Sequence, residues 1–189
     1  MERLVGHGDR ELVEAAVGGA DGAFDELVRR HTPRLYRVAL RIVGDRADAE
    51  DVVQDAWISA WRALPRYRGD AEPSTWLYRV VTNAALGRLR RRRRMPEQPM
   101  TDAAAAILDT MPAPGGGPEA GVLRQERGDQ VQRAIATLDS SQRVPLVLRE
   151  FEGLDYEEIA AILGVGVPAL RARLHRARVV LLGRLREVQ

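Results

Sequence analysis

Apolar residues recur at intervals of three and four along most of this chain, and no stretch alternates with a period of two. That pattern predicts helices throughout and no sheet. A short helix over Glu11–Val17 should end at Gly18 and Gly19, and the next should run from Ala23 to His31, where Pro33 resets the chain. Leu35–Val43 follows, closed by Gly44. The helix Ala47–Leu64 places Val53, Trp57, Ala60, Trp61 and Leu64 on one face as an inward stripe, and Pro65 ends it. On its other side Asp48, Asp51 and Asp55 stand at three-to-four spacing, lining solvent near a helix start, where the macrodipole alone already favours acids. Tyr67–Pro73 reads as a loop, after which a helix capped by Ser74 continues into a run of arginines.

The periodicity stops between Met95 and Gly121. Pro96, Pro99, Pro112, Pro114 and Pro118 surround Gly115, Gly116 and Gly117, the composition of a flexible linker with room for one short helix over Thr101–Leu108. Beyond it, Gln130–Leu138 is amphipathic through Val131, Ala134, Ile135 and Leu138. A second apolar helix runs to Phe151, and Pro145 predicts that it starts late or bends. Asp155 and Glu158 have capping-box spacing for a helix Tyr156–Leu163 that stops at Gly164, and Pro168 suits the first turn of a last helix. Leu170, Leu174, Ala177 and Leu181 form the buried stripe of that last helix. Two short helices joined by a turn, with Ala160 inside the first and Gly164 at the bend, make a helix-turn-helix. The outer surface of its second helix carries Arg171, Ala172, His175 and Arg176, and arginine suits guanine edges or phosphates. A solvated basic helix in an ordinary bundle is the plainer reading. The fold class predicted is all-α: two small helical domains, residues 1–94 and 126–189, joined by a flexible linker over residues 95–125.

Composition narrows the chemistry. A length of 189 residues leaves no room for a large multi-domain enzyme, and 30% charged residues with no run of about 20 apolar positions argue against a membrane span. Met1, Glu2, Arg3 and Leu4 carry no export pattern, so a cytoplasmic protein is expected. There is no cysteine, and His7, His31 and His175 lie far apart, so neither thiol chemistry nor a metal site is expected. All 29 basic residues are arginine, which removes the lysines of P-loops and Schiff bases. With no paired nucleophile and base, an enzyme is not expected, and neither a catalytic residue nor a cofactor is assigned.

The net charge is only +2, but its distribution is uneven. Five acids lie between Asp45 and Asp55 and five more between Glu150 and Glu158, whereas Arg88 and Arg90–Arg94 form one basic block and Arg171–Arg186 another. All three tryptophans and two of the four tyrosines fall between Trp57 and Tyr78, just before the first arginine block. Aromatics beside arginines suit single-stranded nucleic acid, since bases stack on rings while guanidiniums hold phosphates. Trp57 and Trp61 read as core, but Trp76 shares a face with Arg79 and Asn83, while Leu77, Val80, Val81 and Ala84 already supply the apolar stripe. Trp76 is therefore assigned to a DNA-facing edge.

Taken in order, five segments resemble the bacterial sigma factors of the extracytoplasmic-function group, sigma-70 family. They are Asp21-Gly-Ala-Phe-Asp-Glu-Leu27, Asp48-Ala-Glu-Asp-Val-Val-Gln-Asp55, Ser74-Thr-Trp-Leu-Tyr78 with Asn83 and the arginine run, Leu154-Asp-Tyr-Glu-Glu-Ile-Ala160, and Arg171-Ala-Arg-Leu-His-Arg-Ala-Arg178. The resemblance implies a non-catalytic subunit that joins core RNA polymerase, recognises minus-10 and minus-35 promoter elements and helps melt the first. It assigns Asp48, Asp51, Gln54 and Asp55 to docking on the beta-prime clamp helices, and implies the beta flap as a further polymerase partner. Tyr67, Arg68, Gly69 and Trp76 would capture an extruded minus-10 base, with Arg79, Asn83, Arg88, Arg90 and Arg91 holding the adjacent strand and duplex. Pro168, Ala169, Arg171, Ala172, His175 and Arg176 would enter the minus-35 major groove. The linker would thread near the RNA exit path, and an anti-sigma factor would hold both halves until a stimulus arrives. Thr82, Gly87 and the turn Gly166-Val-Pro-Ala169 depart from the family pattern. The alternative is a helix-turn-helix transcriptional regulator acting without stable polymerase association.

Overall fold

The computed structural model describes residues 6–94, 128 and 130–186, which form helices and turns without a strand. The expected linker, with its short helix Thr101–Leu108, lies outside them. Helix α1, Asp9–Val17, buries Leu12, Val13 and Ala16. Helix α2 spans Ala23–Val43, α3 spans Arg46–Ala63, a single 3-10 turn follows at Leu64–Arg66, and α4 spans Pro73–Arg94. In the second half residues 130–136 form α5, followed by α6 (Ser140–Glu150), α7 (Tyr156–Leu163) and α8 (Val167–Arg186). No described helix is long and apolar enough to cross a membrane.

Three local expectations are corrected. Pro33 does not reset the chain: it sits inside the 21-residue α2. Its ring is exposed, and Leu27, Leu35, Val38, Ala39 and Ile42 bury one continuous side of the helix, so packing outweighs the one lost backbone hydrogen bond. Ser74 is not the cap of α4, because Pro73 already occupies the first turn and the Trp76 amide donates to the Glu72 carbonyl at 2.9 Å. Nor does Pro145 delay α6. The Asp139 carboxylate accepts from the Ser141 amide at 2.8 Å and starts the helix at Ser140, leaving Pro145 buried within it.

Other expectations hold because they rest on local chemistry. The Asp155 carboxylate accepts from the Glu158 amide at 2.7 Å while the Asp155 amide donates to the Glu158 carboxylate at 3.0 Å, a complete capping box. Gly164 ends α7 at φ +64°, a left-handed conformation that a side chain would strain.

The two halves share one apolar core. Leu35, Val38 and Ile42 of α2 and Tyr78 and Val81 of α4 belong to the same buried cluster as Ile135, Leu148, Ile159 and Leu170. Helix α2 packs on α6 and α4 packs on α7. Polar groups reinforce the junction: Glu152 accepts from Arg34 Nε at 2.6 Å and from the Tyr78 hydroxyl at 2.7 Å. Burial, and then the adjoining Glu152, pushes the Tyr78 phenol well above its ordinary range. Thr75 donates to Glu158 at 2.9 Å. Arg143 donates to the carbonyls of Ile42, Ala136 and Leu138 at 2.6–2.9 Å, and its burial lowers its pKa. A second, smaller cluster of Leu12, Val13, Leu27 and Leu64 anchors α1.

Candidate nucleic-acid and protein-binding interfaces

Helix α3 divides the predicted acidic stripe. Asp51, Gln54 and Asp55 are exposed, but Asp48 is buried, contrary to its expected place on solvent. Its position at the third turn-forming residue of α3 points it at α4, where Arg88 Nε lies 2.8 Å from its carboxylate and Arg92 3.6 Å. The same guanidinium reaches Asp51 at 3.4 Å, and Arg91 reaches Asp55 at 3.4 Å. Hydrogen bonding to Asp48, ahead of the desolvation that opposes it, raises the Arg88 pKa. Two arginines assigned to minus-10 DNA are thus engaged by acids assigned to polymerase, and Arg88 belongs to the packing of α3 on α4 rather than to an open DNA face.

The remaining α4 residues form a different strip. At 100° per residue Trp76, Arg79, Asn83 and Arg90 fall within one side of the helix, and the last three are exposed. Arg79 also donates to the Ala161 carbonyl of α7 at 3.3 Å, so the second half touches the edge of this strip. Trp76 is half-buried, and its ring packs on Tyr67 with centroids 5.2 Å apart. The Tyr67 hydroxyl donates to the Ala71 carbonyl at 2.5 Å, holding the loop that carries exposed Arg68 and left-handed Gly69, φ +76°. Thr82 is wholly buried with its hydroxyl unpaired, and the space around Gly87 is open enough that only the tips of Arg90 and Arg91 would meet a Cβ.

The second strip lies on α8. Pro168, Ala169, Arg171, Ala172, His175 and Arg176 are all exposed and share one side, while Leu170, Leu174 and Ala177 are buried on the other. Leu181 is only partly buried. Tyr156, at the start of α7, holds two of the nearby guanidiniums over its ring, Arg149 at 4.9 Å and Arg171 at 5.5 Å. Sequence reasoning missed that orienting role, as it missed Glu152 and Arg143. Glu152 was visible only as one member of an acidic block. Arg178 is tied back to Glu150 at 2.7 Å and does not join the strip.

A turn-joined helix pair with an exposed arginine face, beside a second basic helix, defines a DNA-binding protein of the helix-turn-helix class. Two family profiles match the chain: Sigma-70 region 2 over residues 27–95 and Sigma-70, region 4 over residues 128–181. The RNA polymerase sigma-H factor of Pseudomonas aeruginosa is 39% identical over 173 residues, 90% of each chain. The ECF RNA polymerase sigma-E factor of Escherichia coli K12 is 38% identical over 175 residues, again 90% of each chain. The solved structure of CnrH in complex with the cytosolic domain of CnrY is 29% identical, with a TM-score of 0.67 over 96% of this chain and 99% of that one. The fold is shared with RpoE of Bartonella quintana, solved with the anti-sigma factor NepR, at 24% identity, with a TM-score of 0.68 over 87% of this chain and 98% of that one. The chain belongs to the extracytoplasmic-function group of the sigma-70 family of RNA polymerase sigma factors.

Proposed function

We propose that this sigma factor acts in the cytoplasm, without catalysis of its own, by docking α3 on core RNA polymerase and reading two promoter elements through α4 and α8. Residues 1–94 serve the polymerase and the minus-10 element, residues 126–189 the minus-35 element, and residues 95–125 connect them. The observation that carries this reading is the shared exposed side of Pro168, Ala169, Arg171, Ala172, His175 and Arg176 in the second helix of a helix-turn-helix. On α4 the DNA-facing set is Trp76, Arg79, Asn83 and Arg90, with Tyr67, Arg68 and Gly69 in the preceding loop. On α3 the polymerase-facing set is Asp51, Gln54 and Asp55. The complex of RpoE with the anti-sigma factor NepR supports control by an anti-sigma protein. Run-off transcription from a genomic promoter library, with core polymerase alone as control, tests the reading. Protein-dependent transcripts sharing two spaced motifs are expected. Duplex binding without any association with core would move the protein to the regulator class.

A further inference from the structure

The loop from Tyr67 to Glu72 joins the 3-10 turn to α4, and Arg68, Asp70 and Glu72 on it are exposed. A segment this open samples many backbone states unless it is held, and loses them on binding. Helix α1 holds it at both ends. The Tyr67 and Trp76 rings, on either side of the loop, pack on the small apolar cluster to which α1 contributes Leu12, Val13 and Ala16. Glu72, the last residue before α4, accepts from Arg10 of α1 at 2.7 Å from Nη2 and 3.4 Å from Nε. Two donors of one guanidinium on one carboxylate fix direction as well as distance.

A support must itself be fixed, and α1 is fixed to α2. Asp9, next to Arg10, lies 2.7 Å from Nε2 of His31 and 3.4 Å from Nη1 of Arg30, and the same Arg30 nitrogen donates to the His7 carbonyl at 2.7 Å. The Gly8 amide donates to the Glu11 carboxylate at 2.8 Å and closes the first turn. The side chains of Arg10 and Glu72 are 57% and 61% exposed, so their pairing adds little to overall stability. Its effect is positional. It ties an anchored helix to the point where the loop enters α4, and the match to Sigma-70 region 2 begins at residue 27, beyond α1.

We infer that α1 is a positioning element for the minus-10 loop, with Arg10 and Glu72 as its positioning residues: they set Arg68 and Gly69 relative to the Tyr67 and Trp76 rings before DNA arrives, and so sharpen discrimination among minus-10 bases. The inference rests on the minus-10 reading given above. Order imposed before binding is not lost on binding, and a mismatched base meets groups that cannot shift to accommodate it.

The test uses the full chain in holoenzyme, with initial transcription rates on promoters that differ by one base in the minus-10 element. Arg10→Ala and Glu72→Ala should each narrow the ratio between preferred and substituted bases by about two- to fivefold, with the double variant no worse than either. Thermal melting should stay at the parent value. Exchanging the pair, Arg10→Glu with Glu72→Arg, should restore the ratio. If Arg10→Ala alone lowers activity, equally on every base and with a weaker salt dependence, Arg10 holds a phosphate and the inference is overturned. Arg68→Ala, on the loop itself, tests the reading beneath. If it narrows the ratio while Arg10→Ala and Glu72→Ala do not, the loop reads DNA without help from α1 and the minus-10 assignment stands. If none of the three changes the ratio, the loop is not a reader and both assignments fail.

Discussion

Arg88 of α4 places its Nε 2.8 Å from the carboxylate of Asp48 on α3, joining residues that the sequence had distributed to two different binding sites. The Asp48 side chain is 11% exposed and that of Arg88 33%, so the pair is sheltered enough for its loss to be felt. Exposed ion pairs such as Arg91 with Asp55 contribute much less.

Asp48→Ala should therefore lower stability by about 1–3 kcal/mol, because Arg92 loses its nearby acid and Arg88 keeps only the more distant and more exposed Asp51. Asp51→Arg, on the open side of the same helix, should change stability by about 0.5 kcal/mol or less and act on polymerase affinity. Urea unfolding of both variants, with Arg88→Ala to complete a cycle with Asp48→Ala, checks the division. Equal destabilisation by the two α3 substitutions would return Asp48 to the surface stripe.

Glu152 gives a second prediction. Its side chain is 4% exposed and accepts from both Arg34 and Tyr78, two residues of the first half. Glu152→Ala leaves the Tyr78 hydroxyl unpaired against the shared core, a loss of about 1–3 kcal/mol. Tyr78→Phe removes the donor together with its need for a partner and should cost less. Small-angle scattering should show a larger radius of gyration for Glu152→Ala, since the released contact holds the halves together. An unchanged radius with lowered stability would place the effect within one half.

Acid stability should depend on Asp139. The Ser141 amide, and after it Arg93 at 3.0 Å, hold this carboxyl at about 2 against an ordinary 3.8. Because the folded value is depressed, the unfolded chain binds the proton first as pH falls. The stabilisation is then complete above pH 3.8 and is lost as pH drops through about 2. Thermal melting of Asp139→Ala should run parallel to the parent protein above that window and converge with it below. Arg93→Ala should keep most of the pH dependence, since the Ser141 amide is the larger cause.

What the sequence made legible was local. The Asp155 and Glu158 box, the stop at Gly164 and the exposed side of α8 each depend on residues within two turns of one another. Pro33 misled because the apolar side of a long helix outweighs one missing donor. Trp61 misled because periodicity sets an angular sector but not how far the neighbouring helix covers it, and α2 meets Trp61 through Phe24 yet leaves it 57% exposed. Asp48 misled because no spacing within α3 reports an arginine 40 positions away. The junction of the halves was not legible for the same reason: Arg34 and Glu152 are 118 positions apart, and neither stands out among its neighbours.

On α8, Arg171 and Arg176 are exposed on the same side, but only Arg171 is oriented, by the Tyr156 ring at 5.5 Å. A guanidinium held in place loses less freedom on binding, so Arg171 should be the stricter reader. In holoenzyme, Arg171→Ala and Arg176→Ala should each cost about 1–3 kcal/mol on the preferred minus-35 sequence, with Arg171→Ala flattening the response to base changes more. Tyr156→Leu should lose about 0.5–1 kcal/mol and relax discrimination at the position that Arg171 contacts, whereas Tyr156→Phe keeps the ring and should leave it intact. Transcription from single-base minus-35 variants measures all four. If Tyr156→Leu lowers activity equally on every variant, the ring supports the fold of α7 and does not aim Arg171.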